Sequence, residues 1–217
     1  MLPLRKFKSS LKVKLIDKSE KHFYDILEKE LADCKTVLDV GCGVNSPLGK
    51  IRKPDLLEGI DLYLPKKNNQ AHDVYKKGNI LALEKYYKKK SFDAVVLLGV
   101  IEHLRRSEAF LFMKTLEKIA KKKIIIQTPN GFIPQPAVDG NPYQEHISGW
   151  SVSDFESLGY KCNGLRGLRS LRWMYALVKY KPWYLWLFIS YLTQFVMYFI
   201  PRGAFELMAV KNIKKIR

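Results

Sequence analysis

The chain has 217 residues, of which 47% are hydrophobic, and its mean hydropathy is −0.18. These values exclude an intrinsically disordered chain and allow one domain with a full hydrophobic core. The 38 lysine and arginine residues outnumber the 21 acidic residues and give a formal net charge of +17, which favours polyanionic partners such as nucleic acid or an anionic membrane.

The chain begins with a basic segment followed by an amphipathic helix. Residues 1–18 are rich in lysine and predict a loose basic arm, so the folded domain is expected to comprise residues 19–217. A helix is expected over 19–31, because Ser19 can cap it and its apolar residues fall on one face.

Strands and helices then alternate along the chain. Strands are expected near 36–40, 56–61, 75–80, 92–98 and 122–128. A helix is expected near 106–120, with Ser107 as its cap and a buried stripe of Phe110, Leu111, Leu116 and Ile119. This alternation predicts an α/β fold in which a mostly parallel sheet is doubly wound, with helices on both faces.

The first strand leads into a turn that is typical of nucleoside binding. The apolar run that contains Asp39 is followed by Gly41 and Gly43, and a second apolar run ends at Asp61. Glycine lets the backbone approach a ligand closely, and an acid at the end of the next strand can accept hydrogen bonds from ribose hydroxyls. For Asp39, capping of the turn is the alternative to a role in binding.

This Asp-x-Gly-x-Gly pattern resembles motif I of the class I S-adenosylmethionine-dependent methyltransferases, and of their small-molecule or lipid type (methyltransferase type 11-like). Further landmarks of that family follow in order: Asp61, the segment 78–80, the strand 92–99 with the segment 100–104, and the strand 123–130. The resemblance implies a Rossmann-like, seven-stranded sheet and S-adenosylmethionine as the cofactor. The residues that it implies for cofactor binding are Asp39, Gly41, Cys42, Gly43, Asp61, Leu62, Asn79, Ile80, Leu98 and Gly99.

A long loop over residues 129–150 follows the fifth strand on the expected cofactor side. Loops of this length in a compact domain are usually functional or disordered, and its prolines favour function. His146 in this loop is the best candidate for a general base, and His103 is the second; ordinary structural roles remain open for both. Tyr143 and Trp150 are candidates for lining an acceptor pocket. The four histidines are scattered and the three cysteines lack metal-like spacing, so no metal site is predicted.

An uncharged segment, 183–200, lies within a predicted helical insertion over 168–203. As a helix it would be about 27 Å long, close to the roughly 30 Å of a bilayer's hydrocarbon core. Residues 204–210, however, are expected to form the last strand of the same sheet, so a single crossing is excluded. Three interpretations remain: a contact with a membrane surface through flanking basic and aromatic residues, a lid over the substrate, or a homodimer contact made by residues 173–200.

Three functions are therefore compatible with the sequence. The first is methyl transfer to a small-molecule acceptor that is lipidic or membrane-associated, by a cytoplasmic protein that can be peripheral to the membrane. The second is RNA methylation, indicated by the charge but without an Asn-Pro-Pro-Tyr or Pro-Cys motif. The third is a cofactor-binding module without activity. The sequence does not give the acceptor atom.

Overall fold

A computed structural model describes residues 21–64, 71–137 and 141–214. The predicted basic arm, 1–18, and the predicted cap Ser19 lie outside these residues. The chain forms a seven-stranded sheet with the strand order β3-β2-β1-β4-β5-β7-β6. The strands are β1 (Thr36–Val40), β2 (Leu56–Asp61), β3 (Val74–Lys77), β4 (Phe92–Leu98), β5 (Ala120–Pro129), β6 (Lys161–Leu168) and β7 (Ala204–Asn212).

The sheet is parallel except at one edge. β1 pairs in parallel with β2 and β4, and β4 pairs in parallel with β5. β7 lies antiparallel between β5 and β6. The predicted last strand is therefore part of the same sheet, and the predicted doubly wound, mostly parallel fold is confirmed. Ligands of such sheets bind at the carboxyl ends of the strands.

Helices cover both faces of the sheet because successive strand residues point to opposite sides. Leu38 and Val95 face one core, which is closed by α2 (Arg106–Ile119) and α3 (Val152–Ser157). Val37 and Val96 face the other core, which is closed by the helix over 21–31, α1.

The predicted buried stripe of α2 is partly wrong. Leu116 and Ile119 are buried, but the other buried residues are Ala109, Phe112 and Met113, and Leu111 is 69% exposed. The helix begins at Arg106, as predicted, but the predicted cap is wrong. Its cap position is Arg105, whose backbone N–H donates to Glu108, and not Ser107. The rotation of the helix about its axis is thus set by how its side chains fit the sheet, which hydrophobic periodicity alone does not specify.

The insertion before β7 contains a long helix, α4 (Trp183–Phe199), which packs on β6. The backbones approach closely, since a Cβ at Gly164 would lie 2.1 Å from the Met197 carbonyl oxygen, and one at Gly167 would lie 2.0 Å from that of Ser190. Gln194 lies between the two elements. Its Oε1 accepts from the Gly167 N–H at 2.9 Å, and its Nε2 donates to the Gly164 carbonyl at 3.0 Å.

The polarity of α4 is inverted relative to an ordinary surface helix. Its buried residues are Leu187, Ser190, Gln194 and Met197, so that half of its inner positions are polar. Its exposed residues are apolar or aromatic: Tyr184, Leu185, Phe188, Leu192, Phe195, Val196 and Phe199. An amphipathic helix in water normally presents the opposite arrangement. Within the described residues, α4 and the other helices all fall short of the length and apolar character that a membrane crossing requires.

Candidate functional site

A cavity of about 430 Å³ opens at the carboxyl ends of β1, β2 and β4. Nine of the ten residues predicted to bind the cofactor line it: Gly41, Cys42, Gly43, Asp61, Leu62, Asn79, Ile80, Leu98 and Gly99. The loop after β5 contributes further lining residues, Gln135, Asn141, Tyr143 and Gln144. The sheet thus brings together landmarks that are separated by up to about sixty residues in the chain.

The glycine turn after β1 forms the floor of this cavity. Gly41 and Gly43 have φ angles of 75° and 55°, which favour glycine. A Cβ at Gly41 would lie 2.6 Å from the Val100 side chain, whereas a Cβ at Gly43 would meet nothing within 4 Å. Gly41 is therefore required for packing, and Gly43 leaves open space in which a ligand can approach the backbone.

Asp61 stands beside this turn at the end of β2. Its Oδ2 accepts a hydrogen bond from the Gly43 N–H at 2.9 Å, and its Oδ1 accepts from the Tyr63 N–H at 2.7 Å. A carboxylate has about four lone-pair positions, so two remain for ligand hydroxyls. The carboxylate and the glycine turn therefore belong to one crevice.

Asp39 does not line the cavity, unlike the other predicted cofactor residues. Its side chain is buried beneath the turn, where Oδ2 accepts from Ser46 Oγ at 2.5 Å and lies 2.8 Å from His72 Nε2. His72 Nδ1 in turn lies 2.8 Å from the Tyr75 hydroxyl. The placement corresponds to the alternative role for Asp39, which is to hold the turn. His72 was missed because no local sequence signal links it to Asp39.

The polar groups at the far end of the cavity also order the backbone. Asn79 Oδ1 accepts from the Leu81 N–H at 2.9 Å and so caps the short helix Ile80–Lys85. This cap ends β3 before residue 78, so that β3 is shorter than the predicted strand 75–80. Tyr143 stands over the cavity with its ring 6.4 Å from that of Tyr63. It lines this cavity, not a separate acceptor pocket.

Cys42, which lines the cavity, and Trp150, which was a candidate for lining an acceptor pocket, both have structural roles. Cys42 is buried, and burial together with Asp39 and Asp61 raises its thiol pKa, so it remains a protonated wall of the site. Trp150 is fully buried, donates from its indole nitrogen to Ser148 Oγ at 3.0 Å, and packs beneath the Arg106 guanidinium. It is a core residue and does not line the cavity.

The two predicted catalytic histidines meet at the side of the cavity. The rings of His103 and His146 are 4.9 Å apart, although 43 positions separate them in the sequence. Burial lowers the pKa of both imidazoles, and for His103 the neighbouring His146 lowers it further. Both are therefore neutral near pH 7 and can accept a proton.

Glu102 lies next to the histidine pair. Its carboxylate is buried and accepts a hydrogen bond from the Thr128 hydroxyl at 2.9 Å. Burial raises its pKa to about 7. No sequence signal marks Glu102, which directly follows an apolar run and precedes His103 in the chain.

A second cavity of about 300 Å³ adjoins the first and shares Gly99, His103 and Gln135 with it. Its other polar lining residues are Glu102, Gln127, His146, Arg166 and Glu206. Glu206 Oε2 accepts from Arg166 Nε at 2.8 Å and from Gln127 Nε2 at 2.9 Å. Tyr175 and Ala176 of the insertion also line this cavity.

Comparison with solved structures identifies the architecture. The methyltransferase domain of a bacterial protein, CtHen1, matches with a TM-score of 0.51 and 18% identity over 91% of this chain and 99% of that one. The chain has the fold of the S-adenosylmethionine-dependent methyltransferases. No protein-family model matches the sequence, and a search of curated proteins found no match.

Two other methyltransferase structures agree with this assignment of the fold. A SAM-dependent methyltransferase from Archaeoglobus fulgidus matches with a TM-score of 0.50 and 16% identity, over 87% of this chain and 94% of that one. Magnesium protoporphyrin IX methyltransferase from Synechocystis, solved with bound SAH, matches with a TM-score of 0.50 and 14% identity, over 93% of this chain and 86% of that one.

Proposed function

We propose that this protein is an S-adenosylmethionine-dependent methyltransferase of the class I, small-molecule type. The observation that carries the proposal is the pairing of the Asp61 carboxylate with the Gly43 backbone at the floor of the larger cavity, at 2.9 Å. The open space above Gly43 is a cradle that a Cβ would fill. The residues present therefore fit an adenosyl cofactor.

Each part of the cavity has a role in this proposal. Asp61 accepts from the ribose hydroxyls, Asn79 and Ile80 flank the adenine, and the Gly41–Gly43 turn with Leu98 and Gly99 holds the methionyl end. Asp39 acts through Ser46 and His72 to hold the turn. When bound, S-adenosylmethionine supplies a methyl group: the acceptor's lone pair forms the new bond to carbon, the carbon–sulfur bond breaks with its electrons left on sulfur, and the acceptor's proton is released.

The second cavity is the proposed acceptor site. It adjoins the methionyl end of the first cavity through Gly99 and His103 and is lined by polar and charged groups. These groups favour an acceptor whose reacting part is polar. His146 or His103 is placed to accept the proton that the acceptor loses.

The insertion supports a lipidic or membrane-associated acceptor. Tyr175 and Ala176 line the second cavity and belong to the same insertion as α4, whose outward face is apolar. Lys179 and Lys181 precede this helix and are exposed. Each basic residue near an anionic bilayer contributes about 1 kcal/mol. An acceptor with a polar head and an apolar tail would fit both surfaces.

RNA is the second candidate acceptor, because the net charge of +17 attracts any polyanion. The apolar face of α4 argues against it, since phosphate groups gain nothing from contact with leucine and phenylalanine. This face could also pair two copies of the chain, so the oligomeric state has to be measured in the same experiment.

The test has two arms. The first is calorimetric titration with S-adenosylhomocysteine, for which one site per chain is expected; absence of binding would overturn the proposal. The second compares flotation with vesicles that contain or lack anionic lipid, at low and high salt, and methyl incorporation into vesicle lipid and RNA. Salt-sensitive flotation with incorporation into the lipid fraction is expected. Incorporation into RNA alone, or a dimer that buries α4 and does not float, would contradict the membrane part.

A further inference from the structure

Three side chains between the two cavities converge on one point. One ligand atom from each of Glu102, His103 and His146 lies within 4.8 Å of the others. His103 lines both cavities, and Glu102 and His146 line the second. The cluster therefore stands where the proposed cofactor and acceptor sites meet.

Each imidazole is fixed by a hydrogen bond between its Nδ1 and a backbone carbonyl oxygen, and the His103 ring also interacts with the Gly99 carbonyl. His103 Nδ1 lies 2.9 Å from the Glu145 carbonyl oxygen, and His146 Nδ1 lies 2.8 Å from that of Ile133. A carbonyl oxygen can only accept, so each Nδ1 carries the proton and each Nε2 carries the lone pair. This is the arrangement in which proteins present histidine to a metal ion.

The loop that carries His146 is tied directly to the segment that carries the other two residues. The backbone N–H groups of Ile147 and Ser148 both donate to the Glu102 carbonyl oxygen at 3.0 Å. The Glu102 carboxylate is itself held by the Thr128 hydroxyl. The three side chains are thus oriented by neighbouring groups before any ligand arrives, which is what a metal site requires.

We infer that Glu102, His103 and His146 bind one divalent metal ion, and that this ion receives an oxygen atom of the methyl acceptor. Two imidazoles and one carboxylate suit zinc and related ions and leave positions open for other ligands. The separation of up to 4.8 Å exceeds the roughly 3.4 Å between ligand atoms that metal–nitrogen bonds of about 2.1 Å imply. Metal binding therefore requires side-chain rotations that bring the three ligand atoms about 1.4 Å closer together.

This inference deepens the proposed function and rests on it, because it selects the class of acceptor. A metal ion lowers the pKa of a bound hydroxyl group and orients it. The acceptor would therefore be a hydroxyl compound, and with both imidazoles bound to the metal its proton would pass to solvent and not to His103 or His146. Spacing along the chain does not show which histidines meet in the fold, so the sequence alone predicts no metal site.

Cobalt(II) is the probe for this site because its visible absorption reports nitrogen and oxygen ligation. The untagged protein is titrated with Co²⁺, and Zn²⁺ is then added. One equivalent of Co²⁺ with visible bands, displaced by one equivalent of Zn²⁺, is expected. Absence of bands, or bands without saturation, would overturn the inference.

Matched variants locate the site. Glu102→Gln and His146→Ala are expected to weaken Co²⁺ binding by at least about tenfold, whereas His22→Asn, on α1 and outside the cluster, should leave it unchanged. S-adenosylhomocysteine titration of each variant checks that the fold and the cofactor site persist. Unchanged Co²⁺ affinity in both cluster variants contradicts the inference. Cofactor binding without Co²⁺ binding refutes the metal site alone, and the reverse result refutes the proposed cofactor.

Discussion

Removal of the Asp61 carboxylate should weaken cofactor binding more than any other loss of one charge in the sheet. In Asp61→Ala the ribose hydroxyls lose a charged acceptor, and a hydrogen bond to a charged group contributes about 1.5–3 kcal/mol. Two such bonds are lost, and hydrogen bonds to water compensate for part of their free energy. We therefore expect a net loss of about 3 kcal/mol in binding free energy, which corresponds to about 100-fold in affinity. The Gly43 and Tyr63 N–H groups also lose their partner.

The control for this experiment lies just before the same strand. Asp55 is exposed at the amino end of β2, away from the cavity. Asp55→Ala removes the same charge, so it accounts for the change in long-range electrostatics. Calorimetric titration with S-adenosylhomocysteine should give wild-type affinity for this variant. Equal affinities of the Asp61 and Asp55 variants would refute the assignment of Asp61 to the ribose.

Three other predictions follow from the site and from α4. Gly43→Ala places a methyl group in the open space above the turn, at a φ of 55° that strains alanine by about 1–2 kcal/mol. Because of this strain and the lost space, S-adenosylhomocysteine should bind at least about tenfold more weakly in calorimetric titrations. Gln194→Ala removes the partner of the Gly167 N–H and of the Gly164 carbonyl. It should lower the free energy of unfolding, measured by urea titration, by about 2–4 kcal/mol. The control, Leu192→Ala on the exposed face of α4, should change this free energy by less than about 1 kcal/mol. Because the pKa of Glu102 is raised from 4.5 to about 7, this group binds its proton more tightly in the native state, so its contribution to stability should fall as pH rises from about 4.5 to 7 in the presence of a chelator. Glu102→Gln should flatten this fall in urea titrations at successive pH values, and an unaltered pH dependence would contradict it.

The cofactor cavity could be predicted from sequence because its landmarks are local. The turn at Gly41 and Gly43 follows directly from a buried strand, and Asp61 ends the next one. Parallel pairing then brings their carboxyl ends to one edge of the sheet. Short-range patterns of this kind specify the strand, the turn and the register together.

Other features could not be predicted because they depend on tertiary packing. Whether α2 buries Phe110 or Phe112 depends on how the helix fits the sheet. The pairing of His103 with His146 depends on the path of the loop after β5. The orientation of α4 was also unexpected. Ser190 and Gln194 face β6 and hydrogen-bond to its backbone, which leaves the hydrophobic side chains outward.

The domain carries two surfaces of opposite polarity, one at the sheet edge and one on the insertion. The sheet edge supplies a polar crevice with a carboxylate, two glycines and neutral imidazoles. The insertion between β6 and β7 supplies an apolar exterior and contributes Tyr175 to the second cavity. A substrate that is polar at its reacting end and apolar elsewhere would use both.

The most direct test of the central proposal is a crystal structure of the protein with S-adenosylhomocysteine. We expect density for the ribose within hydrogen-bonding distance of Asp61, with the homocysteine end over the Gly41–Gly43 turn. Density in another cleft, or an adenosyl group that does not contact Asp61, would contradict it.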